Sequence, residues 1–136
     1  GDIITPKEVE YEYKMIFEDR SLNIMTYNIE TIIAEKFQTM INRNVLNSRM
    51  KDYYDLYYLL TYKEFSKVNL KTAIINTFEK RETDIDQIDI QLNKISKSDF
   101  VKELWTSYTK KYKYAENIQF EDIMNSISKI KSLINK

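Results

Sequence analysis

The chain has 136 residues, with 21 basic and 21 acidic side chains, one glycine (Gly1), one proline (Pro6) and neither cysteine nor histidine. A single domain of this length buries roughly two thirds of its unfolded surface and can hold a core without staples. The missing residue types exclude disulfides, zinc fingers, thiol or imidazole catalysis and Gly-rich phosphate loops, so a nucleotide here is held by side chains and a metal by carboxylates.

After Pro6, the run Val9 to Phe17 alternates apolar and polar residues with the period of a half-buried strand, Glu18 to Ser21 makes a polar turn, and Leu22 to Tyr27 a second short strand. A β-hairpin is expected over residues 8–27. Asn28 then caps a helix whose apolar positions Ile29, Ile33, Phe37, Met40 and Ile41 share one arc, ending near Arg43. A short connection, Asn44 to Asn47, leads into a tyrosine- and leucine-rich helix over about 48–61, placed beside the first by the short loop. A third helix is expected over about 69–81. Residues 82–97 fit a weak helix or an extended crossing equally well, because the Ile85, Ile88, Leu92, Ile95 spacing overlaps an acidic, polar stretch. Ser98 or Asp99 caps an amphipathic helix with the face Phe100, Val101, Leu104, Trp105, Tyr108 and Tyr112, and a last helix over about 120–135 buries Phe120, Ile123, Met124, Ile127, Ile130 and Ile134. The fold expected is α+β but mainly α: a hairpin (1–27) followed by about five helices (28–136).

Two helices carry charge where apolar residues belong. On a wheel of 100° per residue Lys36 points into the apolar arc of the first helix, with Arg43 seven residues later on the same side. A buried ammonium without a partner costs several kcal/mol, so Lys36 pairs with a carboxylate, lines a polar cleft, or snorkels outward. On the second helix Asp52 falls between Leu59 and Leu56, with Asp55 one turn further, so Lys36 can meet either carboxylate across the interface. Lys51 and Asp55 also have the i, i+4 spacing of a surface pair. Such a cluster is either a structural ion pair fixing the register of two helices or half of a phosphate or Mg²⁺ site.

The same residues carry a resemblance. Tyr27-Asn28-Ile29-Glu30-Thr31-Ile32-Ile33-Ala34-Glu35-Lys36, followed by Asn47-Ser48-Arg49-Met50-Lys51-Asp52-Tyr53-Tyr54-Asp55-Leu56-Tyr57, resembles the second half of the AbiEii/AbiGii-type toxin nucleotidyltransferases. The opening Gly1 to Pro6, with Tyr11 and Tyr13, resembles the stretch before it, and the C-terminal helices match only loosely. The resemblance implies a DNA-polymerase-β-like nucleotidyltransferase, the toxin of a type IV toxin–antitoxin or abortive-infection system against phage. It also implies NTP and Mg²⁺, an RNA acceptor such as tRNA, and a cognate antitoxin. By motif match Lys36 takes the place of the nucleotide-contacting lysine and Asp52 that of the acidic residue late in the active site. Arg49, Lys51 and Asp55 hold the neighbouring motif positions, with supporting roles in nucleotide binding.

The sequence departs from that family in one respect: no D-x-D, the pair that holds the catalytic metals, precedes Lys36. Asp84-Ile85-Asp86 follows the motifs instead and reads as a solvated loop or cap. The chain opens on Gly-Asp-Ile-Ile rather than Met. The expectation is therefore a C-terminal piece of a larger enzyme, inactive alone, whose exposed hairpin edges favour self-association. Lys110-Lys111-Tyr112-Lys113-Tyr114 interleaves charge with aromatics as single-strand binders do, yet Phe100 to Tyr112 at helical spacing reads first as core. No apolar run approaches the roughly 20 residues of a membrane span, and a cytosolic location is expected. The competing reading is a non-catalytic helical interaction module in which Lys36 and Asp52 form only a structural pair.

Overall fold

The computed structural model of the chain describes residues 28–46 and 48–135. Among them, six α-helices and two 3-10 turns follow one another: α1 (Ile29–Arg43), a 3-10 turn (Asn44–Leu46), α2 (Met50–Tyr62), α3 (Lys67–Lys80), α4 (Gln87–Lys97), α5 (Asp99–Lys111), a second 3-10 turn (Lys113–Ala115) and α6 (Phe120–Ile134). The mainly helical expectation holds for these residues. The hairpin expected over 8–27, and with it the boundary drawn after residue 27, lies outside them.

Local chemistry sets most of the helix ends. Asn28 Oδ1 accepts from Thr31 N–H at 2.8 Å, Ser66 Oγ from Asn69 N–H at 3.1 Å and Ser98 Oγ from Val101 N–H at 3.2 Å, each cap contributing about 1 kcal/mol. At the start of α6 the side chain of Asp122 reaches back to the Gln119 N–H at 3.0 Å. The end of α3 is a Schellman turn, with Thr83 N–H donating to Phe78 C=O at 2.8 Å and Glu82 N–H to Glu79 C=O at 3.1 Å. Its left-handed position, φ 54°, is filled by Glu82. With Gly1 the only glycine, the other left-handed position, Asn44 at φ 47°, falls to a residue type that tolerates it better.

Residues 82–97 resolve into a turn and a helix, so the described residues hold six helices instead of about five. Asp84 Oδ1 accepts from Asp86 N–H at 2.9 Å, and both aspartates are exposed. Beyond that turn Ile88, Leu92 and Ile95 are buried on one face of α4. The polar stretch had masked a face only three residues wide.

α1 is the centre of the bundle, packed against α3, α2 and α4. Ile32, Ile33, Ala34, Phe37, Met40 and Ile41 are buried, and so are Glu30, Glu35, Lys36 and Gln38. The apolar arc expected of α1 is buried and the polar positions beside it are buried too, so the helix has no broad solvent face and each polar side chain must find a partner. α6 closes the other side against α2, α4 and α3. On α5, Val101 and Trp105 are buried, the Trp105 indole donating to Ile118 C=O at 2.9 Å. Phe100, expected on that face, is 55% exposed; it sits in the first turn, beyond the edge of the neighbouring helices' cover.

Candidate functional site

The buried polar residues of α1 divide by direction. Toward the end of α3, Arg81 pairs with Glu35 (Nη2 to Oε2, 2.5 Å) and donates to Gln38 Oε1 at 3.2 Å, while Gln38 Nε2 donates to Thr83 Oγ1 at 2.8 Å. The Schellman turn places Arg81 and Thr83 on either side of Glu82 to do this. Glu30 Oε2 receives the Ser66 N–H at the start of α3 at 3.4 Å. These contacts dock α1 on α3 and its flanking loops.

Toward α2 the arrangement differs. Lys36 Nζ lies 2.9 Å from Asp55 Oδ2, and Lys51 Nζ, one turn before Asp55 on α2, lies 2.7 Å from the same oxygen. Asp55 is fully buried and Lys36 is 7% exposed. A buried carboxylate shared by two ammonium groups is neutralised twice, so the three side chains together carry one net positive charge. Of the two partners open to Lys36 in the sequence, the structure selects Asp55.

Asp52, at the third helical position of α2, is 8% exposed. Its carboxylate makes no hydrogen bond or ion pair among the described residues. Burial pushes its pKa above the ordinary carboxylate value; Lys36, Arg49 and Lys51 oppose the rise, and Asp55 adds to it. The first-turn position favours a negative charge through the helix dipole, which offsets part of the cost. What remains is a carboxylate held beside three cations and committed to none of them. Such a group can accept a hydrogen bond from a ligand hydroxyl or take a proton.

The five sequence-chosen residues thus lie together: Lys36, Lys51 and Asp55 in contact, with Asp52 and Arg49 close enough to act electrostatically. Arg43 does not join them; it is exposed in the last turn of α1, where a cation suits the helix dipole. Two residues were missed. The hydroxyl of Tyr53 is buried with no hydrogen-bond partner among the described residues, and burial followed by the Asp52 charge raises its pKa. Tyr108 on α5 hydrogen-bonds the Tyr114 hydroxyl and lies near enough to Asp55 to feel its charge. Nothing in the local sequence marks either tyrosine, because both occupy ordinary helix-face positions.

A bound Mg²⁺ asks for several oxygens in near-octahedral array. Asp55 is already shared by two ammonium groups, and no cluster of three or more acidic or other ligating side chains among the described residues could hold a metal ion. These residues do not make a Mg²⁺ site. No helix among them is long and apolar enough to cross a membrane.

A family model described as "Nucleotidyl transferase AbiEii toxin, Type IV TA system" matches residues 1–126. No curated protein and no solved structure matches the chain.

Proposed function

This chain belongs to the AbiEii nucleotidyl transferase toxin family of type IV toxin–antitoxin systems, and we propose that it contributes the lysine-and-carboxylate half of a site that moves a nucleotide from NTP to an RNA acceptor, with tRNA the favoured substrate. In such a transfer an acceptor hydroxyl gives its proton to solvent and attacks the α-phosphorus, a new P–O bond forms, the P–O bond between the α- and β-phosphates breaks, and pyrophosphate departs. Lys36, fixed by Asp55, offers its charge to the phosphates, and Lys51 and Arg49 reinforce the positive field. Asp52 accepts the hydrogen bond that aligns the ribose or the attacking hydroxyl.

The observation that carries this reading is Asp52, a mostly buried carboxylate beside three cations and paired with none. A structural ion pair would have used it. The D-x-D that holds the family's metals is assigned to a part of the enzyme outside these residues, so that this chain by itself transfers nothing, and a cognate antitoxin is the expected protein partner.

The test is Asp52→Asn in the complete enzyme, assayed with labelled NTP and tRNA. The change is isosteric and breaks no side-chain hydrogen bond or ion pair of the described residues. Transfer should fall by at least about a hundredfold with thermal unfolding unchanged. Transfer at the wild-type rate would return Asp52 to a purely structural role.

A further inference from the structure

The chain is formally neutral, yet one surface cleft concentrates positive charge. It lies between the start of α2 and the second half of α5, has a volume of about 390 Å³, and is lined by nine of the described residues. Three of them are cations, Arg49, Lys51 and Lys111, and none is acidic. Tyr108 and Tyr112 supply aromatic surface, and the Lys111 ammonium sits over the Tyr112 ring, 5.4 Å from its centroid. Charge and π-face therefore meet at one place.

The cleft adjoins the candidate site. Lys51 belongs to both, touching Asp55 at 2.7 Å, and Tyr108 joins α5 to the same carboxylate through its charge. The Lys110-to-Tyr114 run thus has a location: the stripe that begins as core at Val101 and Trp105 ends as the half-buried wall of a basic cleft.

We propose that this cleft, lined by Arg49, Lys51, Tyr108, Lys111 and Tyr112, seats a single-stranded polynucleotide, the strand whose end receives the nucleotide in the reading above, on which this proposal rests. Cations that neutralise phosphates, beside aromatic faces on which bases stack, are the two components of single-strand binding. The shape favours a strand over a free nucleotide. A small-molecule site encloses most of its ligand, whereas this cleft is shallow and open, and a polymer recovers the lost burial by making contacts along its length.

The experiment is a fluorescence-anisotropy titration of the chain with a 5′-labelled single-stranded RNA of roughly ten nucleotides. Lys111→Glu is compared with Lys110→Glu, which makes the same charge change one residue away at a position that does not line the cleft. Lys111→Glu should weaken RNA binding by about tenfold or more and lower the salt dependence by about 0.7 in the log–log slope, one phosphate's worth. Lys110→Glu should stay within about threefold of wild type. Equal losses in both variants, or none in either, overturn the proposal. Labelled NTP is titrated in parallel. If Lys111→Glu weakens NTP binding and spares RNA, the cleft seats the free nucleotide and the proposal fails. RNA binding that depends on Lys111, alongside a complete enzyme that binds no NTP, supports the cleft while counting against the transferase reading.

Discussion

Glu35 and Lys36 are consecutive residues of one buried helix, and they illustrate two ways of burying charge. Glu35 meets Arg81, whose side chain is 43% exposed, and the adjacent Gln38 is satisfied by Arg81 and Thr83. That side balances acid against base. Lys36 instead shares a fully buried Asp55 with Lys51, beside an Asp52 carboxylate that makes no hydrogen bond or ion pair among the described residues. Equal residue chemistry gives a structural clamp on one side of α1 and, on the other, a shared carboxylate with a second one beside it, the arrangement we propose as the site. Burial of charge alone does not separate scaffold from site.

The comparison breaks most visibly at Asp55. Asp55→Ala removes a buried carboxylate that two ammonium groups share and should destabilise the chain by about 3 to 5 kcal/mol, read by denaturant unfolding. Arg81→Met, on the clamp side, removes a more solvent-screened partner and should lose about 1 to 2 kcal/mol while NTP binding is unchanged. A binding loss at Arg81 comparable to that at Lys36 would erase the distinction between the two sides.

Asp52→Asn sharpens the comparison because the sign is opposite. A carboxyl whose folded pKa is raised favours folding fully below the unfolded value of 3.8, and that advantage is lost as pH rises through the folded pKa. The ionised form therefore weighs against folding at neutral pH. The Asn variant should be as stable as wild type or more so, within about 1 kcal/mol, with the gap closing as the solution is acidified. Urea midpoints across the acid range read this directly, and a variant markedly less stable at neutral pH would show that Asp52 is paired after all. The smallest effect belongs to Glu82→Gly, which relieves a left-handed non-glycine residue at the clamp's turn and should gain about 0.5 to 1 kcal/mol in thermal unfolding.

Much of the scaffold was legible because it is local. Asn28 and Ser98 announced their helices, while Ser66 was passed over and α3 placed two residues late, its first turn being polar with Val68 exposed. Ile88, Leu92 and Ile95 had helical spacing, but the acidic run before them hid the helix. The inward direction of Lys36, Asp52 and Asp55 followed from the wheel. The choice of Asp55 over Asp52 did not, because the two aspartates lie one turn apart on the same side and only their depth in the packed interface separates them. The Glu35–Arg81 pair was invisible for a different reason: the residues are far apart in sequence and meet only when α3 docks on α1. The cleft shared by Arg49 and Lys111 depends likewise on how α5 meets α2.

The central claim is that Lys36 is held in place for a ligand and does more than hold α1 against α2. Titrating labelled NTP against the complete enzyme and its Lys36→Met variant, with unfolding measured on the same samples, tests it most directly. Because Lys51 still neutralises Asp55, the variant should lose no more than about 2 kcal/mol of stability and yet bind NTP at least about tenfold more weakly. NTP affinity equal in the two proteins, whatever the change in stability, would contradict the account and leave Lys36 as half of a structural pair.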